Sequence, residues 1–381
     1  MTKLLITLSL LSTVIFPSFA VQKTESDSRT ERNKSGANIF DDSYIKDKLQ
    51  KVADWQLSHP LHAPNNWTNG AFYAGVYAAW ETTKSPKLYD AMISMGDSIN
   101  WKPGKRWWHA DDIAICQTYL DLYSLEKREE MITATVGTVN RFISEPYQRK
   151  NNKDVIKWWW CDALFMGPPT LYKLSALTQD DRYIKAADKY FHECHEMLFN
   201  KEQHLFARDL DYVSINGETP RKMENNGKLI FWGRGNGWVM GGLVRILKEM
   251  PENHCEKSFY VGLYKDMAKR LLSLQQKDGM WRASLLDPGA YPGGEVSGTG
   301  FICYALAWGL NNGIIEGKKY ESSVKKAWKG LNKCLDSDGK IGWVQPIGAS
   351  PEKNFSSESW EVYGSGAYLL AGSEVIKMNI K

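Results

Sequence analysis

The stretch IKWWWCDALFMGPPTLYK, from Ile156 to Lys173, places one carboxylate, Asp162, between three consecutive tryptophans and an apolar run typical of a buried helix. A buried carboxylate is costly unless it is hydrogen-bonded for structural reasons or retained for chemistry. Apolar flanks raise the pKa of a carboxyl group, so that it keeps a proton to donate. Asp162 is therefore the candidate general acid.

Further acids, an arginine and tryptophans stand where other apolar helix-like segments begin. Asp111 and Asp112 are predicted to position the acid or a water molecule, although capping of the helix that starts there is an equally good interpretation of Asp112. Arg234 lies between two glycines and is predicted to hold a substrate carboxylate with its forked guanidinium. The other candidate substrate contacts are Trp108, Trp159, Asn236 and Trp238. Carboxylates among tryptophans favour acid–base chemistry on a sugar.

A repeated pattern predicts the elements that position these residues. Six polar or Gly-rich segments are each followed by a helix pattern of small and apolar residues, and they begin at Trp67, His109, Cys161, Gly233, Glu295 and Glu361. Between them lie six amphipathic, charge-rich helix patterns, at about 43–58, 84–99, 126–144, 180–197, 256–276 and 319–335. Alternating inner and outer helices predict an all-α fold, an (α/α)6 toroid in a single domain.

The toroid would bring the candidate residues together. If the inner helices run parallel, their N-termini share one mouth, where free backbone N–H groups and helix dipoles favour anions. Gly-x-Gly sequences at Gly235, Gly298 and Gly364 are also compatible with simple close packing of helices. Close packing does not explain why Asp, Arg, Asn and Trp cluster at the same places, so a functional pocket is expected there.

The N-terminus has the pattern of a secretory signal peptide. Lys3 precedes an apolar stretch, residues 4–16, that is too short to span a bilayer, and Ser18-Phe19-Ala20 is a small-x-small cleavage site. Residues 1–20 are thus predicted to be a signal peptide cleaved after Ala20, residues 21–37 a flexible leader and residues 38–381 the catalytic domain. The expected location is periplasmic or secreted, with no membrane span.

Composition limits the possible partners. The 381 residues carry a modest net charge of +4, which does not indicate nucleic acid but is compatible with an acidic small substrate. Six scattered cysteines show no disulfide framework, although export would permit a disulfide. The run HECHEM, residues 192–197, has no second ligand cluster at a useful spacing, so neither a metal nor another cofactor is predicted. The oligomeric state is left open.

Four segments resemble glycoside hydrolase families 105 and 88, the unsaturated glucuronyl and galacturonyl hydrolases. They are WWWCDALFMGPP at 158–169, FWGRGNGW at 231–238, DGMWRASLLDP at 278–288 with EVSGTGFICYALAWG after it, and YGSGAYLLA at 363–371. They occur in the family's order, and the resemblance runs from about residue 40 to the C-terminus. The segment HADDIAICQTYLDLY is most similar to the family-105 branch.

The resemblance implies a hydrolase that acts on oligosaccharides left by polysaccharide lyases, whose non-reducing end is a 4,5-unsaturated uronic acid. It implies that Asp162 protonates carbon 4 and activates the water that adds at carbon 5, with Asp111 as its partner. It also places Arg234, Trp238 and Tyr363 around the substrate and requires no metal. The predicted partner is thus an unsaturated acidic oligosaccharide, glucuronyl or galacturonyl, with the next sugar left open.

The sequence departs from the family at one position, where Arg208 stands in place of a histidine of some members. Arg208 lies in a long segment, about 200–230, that is expected to fold over the mouth and present the arginine to an additional anionic group such as a sulfate. The competing interpretation is that Arg208 pairs with Asp209 or Asp211 and only stiffens the loop.

Two other classes of function remain compatible with a toroid. A sugar epimerase or polysaccharide lyase would need catalytic histidines or a Tyr/His pair at the mouth, for which only His62 and His109 are candidates. A non-catalytic carbohydrate-binding toroid would keep the aromatic residues and lose the acid, whereas Asp162 is present.

Overall fold

The computed structural model describes residues 38–145 and 156–378, so the predicted signal peptide and leader lie outside the described residues. The described residues from Ile39 onward form one compact unit. Across the described ranges, no helix is long and apolar enough to cross a membrane.

The described chain is mainly helical. In chain order the elements are α1 Asp42–Ser58, α2 Trp67–Thr83, α3 Pro86–Ser98, α4 Cys116–Glu126, α5 Glu130–Ser144, α6 Ala163–Met166, α7 Pro168–Thr178, α8 Asp181–Leu198, β1 Phe199–Asn200, β2 Leu205–Phe206, α9 Gly233–Glu249, α10 Lys257–Leu274, α11 Val296–Asn311, α12 Lys318–Asn332 and α13 Val362–Val375. Strands β1 and β2 pair antiparallel, and short 3-10 turns occur at Ala110–Ile113, Leu210–Tyr212 and Ile376–Met378.

Burial separates the helices into the two predicted kinds. Helix α11 is buried at every position from 296 to 309, as expected of an inner helix, whereas α8 buries one face and exposes the other. Two outer helices begin with familiar start signals: the Asp180 side chain accepts the Arg182 N–H at 3.0 Å before α8, and Pro86 opens α3. Helix α5 begins at Glu130, four residues later than predicted, because Lys127 ends α4 in the left-handed conformation, with φ of 57°.

The inner helices form a closed ring in the order α2, α4, α7, α9, α11, α13 and back to α2, which confirms the predicted toroid. Neighbours pack with their first turns side by side. A Cβ added to Gly298, in the first turn of α11, would lie 3.0 Å from the Arg234 backbone nitrogen in the first turn of α9. A Cβ on Gly70 would lie 2.8 Å from the Ala114 carbonyl carbon. The inner helices therefore run parallel, and their N-termini meet at one mouth.

The opposite end of the barrel is built from ion pairs. A cavity of about 540 Å³ lies there among the C-terminal halves of the inner helices. The Lys173 Nζ lies 2.9 Å from a Glu249 oxygen, and the Lys248 Nζ lies 3.1 Å from a Glu374 oxygen. Lys248 lies in the last turn of α9, where a cation complements the helix dipole.

Candidate active site

Asp162 is the residue immediately before α6, at the mouth, and its carboxyl group is buried. The Arg208 Nε lies 3.6 Å from the Asp162 Oδ2, and the Cys161 thiol donates to the same oxygen across 3.6 Å. Burial raises the pKa of the Asp162 carboxyl, while the guanidinium groups of Arg208 and Arg234 oppose that rise only in part. Burial thus shifts this carboxyl group toward its protonated form.

Asp111 lies in the 3-10 turn Ala110–Ile113. His109 caps the start of this turn, because its Nδ1 accepts the Asp111 N–H at 3.3 Å. Burial raises the pKa of Asp111 to about 7, and the negative charges of Asp162 and Asp112 add to the rise against the opposing charge of Arg106. Asp111 and Asp162 are therefore near enough to couple electrostatically. Two neighbouring carboxyl groups with raised pKa values, one buried and one half-buried, form an arrangement suited to proton transfer.

Asp112 faces the preceding loop. The Arg106 backbone N–H donates to the Asp112 Oδ2 at 2.6 Å, and the Arg106 Nε donates to the Oδ1 at 2.8 Å. The start of the 3-10 turn is capped by His109, so capping by Asp112 is wrong. Both carboxylate oxygens accept hydrogen bonds from Arg106, and the predicted substrate contact of Asp112 stays a prediction.

Arg208 makes the predicted brace, and its contact with an anionic group of the substrate stays a prediction. Its Nη1 donates to the Asp209 Oδ2 at 2.6 Å, which is the predicted brace, while its Nε faces Asp162. The Arg208 carbonyl accepts the Cys161 N–H at 2.9 Å, so the long 200–230 segment packs directly on the segment that carries the acid. The Arg208 Nε is buried and has no hydrogen-bond partner among the described residues.

Two predicted tryptophans lie near these groups with part of their surface exposed. The Trp159 ring lies 5.5 Å from the Arg208 guanidinium carbon and 4.9 Å from the ring of Trp160. Trp108 packs edge-on against Trp107 at 5.8 Å. Both rings are partly exposed, and the substrate contacts of Trp159 and Trp108 stay predictions.

Three other predicted contacts, Asn236, Trp238 and Tyr363, are fully buried against other protein groups, and their assignment to the substrate wall stays a prediction. The Asn236 amide binds the Phe206 N–H at 2.9 Å and the Phe206 carbonyl at 3.1 Å, which ties β2 to α9. The Trp238 ring packs 4.2 Å from that of Phe301. The Tyr363 hydroxyl donates to the Gln345 carbonyl at 2.6 Å. These side chains form the support beneath the pocket.

Arg234 has partners that the sequence did not predict. Its Nη1 donates to the Gln345 carbonyl and its Nη2 donates to the Pro346 carbonyl, the latter at 2.9 Å. The guanidinium carbon lies 4.4 Å from the Trp232 ring and 4.8 Å from the Tyr363 ring. In this conformation the Arg234 guanidinium binds the loop at Gln345 and Pro346. The predicted contact between Arg234 and a substrate carboxylate stays a prediction.

Sequence reasoning missed Arg106 and the true role of Glu295. Arg106 lies in KRWWHADD, and an arginine six residues before paired acids was a usable signal for a bracing ion pair. Glu295 is buried at the mouth, where it accepts the N–H groups of Ser297 at 3.0 Å and Gly298 at 2.6 Å. It therefore caps α11 and is not free for chemistry.

The HECHEM run does not gather metal ligands. The His192 Nε2 lies 2.9 Å from a Glu256 oxygen, and Cys194 is buried in the core. Burial lowers the pKa of His195 to about 4, and its ring stacks on Phe199. The described ranges contain no group of three or more His, Cys, Asp or Glu side chains placed to hold a metal ion. All six cysteines are free thiols.

Replacement of Asn236 by alanine is expected to destabilise the fold while leaving the chemistry intact. The change leaves the buried N–H and carbonyl of Phe206 without hydrogen-bond partners. Each unsatisfied buried group lowers the free energy of unfolding by about 1–3 kcal/mol. Thermal unfolding should therefore occur several degrees lower, and kcat/KM of the folded variant should stay near the wild-type value. Asn226→Ala, at an exposed loop position, is the matched control. A large loss of kcat/KM at unchanged stability would show instead that Asn236 contacts the substrate.

Comparison with known proteins decides the family. The family described as Glycosyl Hydrolase Family 88 matches residues 33–379. The chain belongs to glycosyl hydrolase family 88. This family-88 chain is 45% identical over 346 residues to the unsaturated 3S-rhamnoglycuronyl hydrolase of Formosa agariphila, across 88% of this chain and 91% of that protein. It is 34% identical over 395 residues to the protein of the same name from an Alteromonas species, across 95% and 94% of the two chains.

A solved structure described as a polysaccharide lyase superposes with a TM-score of 0.81 at 32% identity, covering 88% of this chain and 98% of that one. The family and the two named relatives confirm the predicted activity at the level of a glycoside hydrolase that removes an unsaturated uronic acid from oligosaccharides.

Proposed function

We propose that this family-88 enzyme removes a 4,5-unsaturated uronic acid whose neighbouring sugar is rhamnose carrying a sulfate on oxygen 3. The names of the two relatives, both 3S-rhamnoglycuronyl hydrolases, support this substrate. The single observation that carries the chemistry is the buried Asp162 carboxyl, with its raised pKa, coupled to Asp111 and facing Arg208.

The reaction begins with a proton transfer. Asp162 donates its proton to carbon 4 of the vinyl ether, and positive charge develops at carbon 5 and the ring oxygen. A water molecule adds to carbon 5 and returns one proton to Asp162, which leaves a hemiketal. The hemiketal opens to a ketone at carbon 5, and the resulting hemiacetal at carbon 1 releases the next sugar. One water molecule is consumed, and the acid is restored.

The surrounding charges suit an anionic substrate. Arg208 lies at the mouth with a buried Nε that has no hydrogen-bond partner in the described part of the chain, next to the acid that must approach the sugar. Hydrogen bonds from a guanidinium to a carboxylate or sulfate are charge-assisted and directional. Arg208 would thus hold either the uronate carboxylate or the neighbouring sulfate while Asp162 acts on carbon 4.

The substrate is tested with a panel of purified lyase products. The proposal expects the absorbance of the unsaturated uronate to disappear fastest with the disaccharide that ends in rhamnose 3-sulfate, followed by its desulfated form. Unsaturated galacturonyl disaccharides should react more slowly. Equal rates across the panel would contradict the proposed next sugar, and no loss of absorbance with any member would contradict the hydrolase.

A second candidate, β-elimination, is favoured by the 32% identical structure described as a polysaccharide lyase. A lyase needs a base and a proton donor such as histidine or tyrosine at the mouth. The His62 Nε2 is paired with the Glu361 Oε2 at 2.9 Å, and the His109 Nδ1 accepts the Asp111 N–H. The same assay separates the two reactions, because a lyase creates the unsaturated absorbance from intact polysaccharide and a hydrolase removes it from lyase products.

Export of the enzyme is part of the proposal. The apolar stretch at 4–16 and the cleavage site at Ser18-Phe19-Ala20 support a periplasmic or secreted location. Expression of the full chain with its leader in a bacterium that secretes proteins should yield a mature protein beginning at Val21. N-terminal sequencing of the periplasmic fraction measures this, and a cytosolic protein that keeps Met1 would contradict it.

A further inference from the structure

The loop Gln345–Ser350, called the 345–350 loop below, is fastened to the mouth from several sides. The Gln345 N–H donates to the Glu295 Oε1 at 3.2 Å, and the Trp232 Nε1 donates to the Gln345 Oε1 at 3.1 Å. Arg234 and Tyr363 both donate to the Gln345 carbonyl. The base of this loop is thus held by side chains at the starts of three inner helices, α9, α11 and α13.

The loop is also closed on itself and tied to the 200–230 segment. The Gln345 Nε2 donates to the Ser350 carbonyl at 2.8 Å, and the Tyr212 hydroxyl donates to the Ala349 carbonyl at 3.2 Å. Bonds at both ends restrict the conformations that the residues between them can adopt. A side chain at the tip is therefore presented in a defined place without an entropic cost on binding.

The tip presents an aliphatic side chain to solvent. Ile347 is 50% exposed, and across the described ranges the other large apolar residues exposed to this degree are Ile215 at 48% and Leu125 at 49%. Single exposed aliphatic residues are common on proteins. Ile347 differs because its loop is rigid and lies at the mouth, whereas Leu125 lies at the C-terminal end of α4, at the opposite end of the barrel.

Arg234 connects this loop to the acid. Its guanidinium binds the carbonyls of Gln345 and Pro346, and it is near enough to Asp162 to lower the pKa of that carboxyl. Ile347 follows Pro346 directly. The guanidinium that binds the residue before Ile347 is thus also within electrostatic reach of the acid.

We propose that Ile347, presented by the 345–350 loop, forms an apolar subsite for the methyl group of a 6-deoxyhexose in the sugar next to the unsaturated uronic acid. This inference rests on the proposed function. A methyl group gains free energy when it leaves water for an aliphatic surface, whereas a hydroxymethyl group in the same place loses hydrogen bonds to water. Ile347 would thereby select rhamnose over a hexose of the same configuration.

The test compares two unsulfated substrates that share one unsaturated uronic acid. One ends in L-rhamnose and the other in L-mannose, which differs from L-rhamnose only by a hydroxyl on carbon 6. The wild-type enzyme is expected to prefer the rhamnose substrate by about tenfold in kcat/KM, the lower end for one apolar group in a pocket. Ile347→Ser should reduce the preference to about twofold through KM, with kcat at saturation unchanged.

Matched variants separate a subsite from a structural role. Ile347→Leu should keep most of the preference, and Leu125→Ser, the same kind of change at the opposite end of the barrel, should keep all of it. Thermal unfolding of Ile347→Ser should match that of Leu125→Ser. Equal wild-type rates on the two sugars, or a wild-type ratio retained in Ile347→Ser, would overturn the subsite alone. A wild-type enzyme that hydrolyses neither substrate would overturn the subsite alone if it still acts on the disaccharide that ends in rhamnose 3-sulfate, and the proposed function as well if it does not.

Discussion

Asp162→Asn is expected to abolish turnover while the protein remains folded. The amide fills the same space but has no proton to give to carbon 4, and the loss of a positioned general acid costs about 10²–10⁴-fold in rate. We expect kcat to fall at least about a thousandfold, with little change in KM. Absorbance of the unsaturated uronate at saturating substrate measures this directly.

Stability gives the control for that result. Because burial raises the pKa of Asp162, an uncharged amide costs little in its place, and the unfolding temperature should stay within about 3 °C of the wild type. Asp211→Asn is the matched variant, since Asp211 pairs with Arg221 on the more exposed part of the 200–230 segment. It should keep most of the activity. A folded Asp162→Asn enzyme with near-normal kcat would remove Asp162 from the mechanism.

Arg208→Ala is expected to move the pH profile and to weaken the binding of sulfated substrates. The Arg208 guanidinium favours the charged form of Asp162, so its removal raises the pKa of Asp162 further. The acid must be protonated to act, so the alkaline limb of kcat/KM should move to higher pH. For substrates with the additional sulfate, KM should rise about tenfold to a hundredfold, the value of a charge-assisted contact.

Two variants separate this effect from the bracing of the loop. Arg208→Lys keeps the charge and should keep the pH profile, but it cannot reproduce the forked contact and should recover KM only in part. Arg221→Ala, in the same segment and largely exposed, should change neither. Because Arg208 also binds Asp209, a modest loss of stability is expected in Arg208→Ala. An equal loss of kcat/KM on sulfated and desulfated substrates, with an unmoved pH profile, would show that Arg208 is only a brace.

The sequence by itself determined the toroid and predicted that the candidate residues gather at one mouth. Hydrophobic periodicity is a local property, and a helix that is apolar on all sides must be buried while an amphipathic one must face water. Six alternating pairs leave few ways to bury the apolar helices other than an inner ring. The apolar surroundings of Asp162 likewise follow from nearby residues in the sequence, Trp160 before it and Phe165 after it. The raised pKa could therefore be predicted before any contact was known.

Only the tertiary structure decided which polar residues at the mouth are free and which are used. Arg234 binds carbonyls 111 residues further along the chain, and Tyr363 and Trp232 bind the same loop. Asn236 likewise holds β2, 30 residues away. A polar residue at the start of an inner helix looks the same in sequence whether it faces a sugar or a distant loop. Buried backbone groups of that loop must find partners, and only the packed chain shows which side chains provide them.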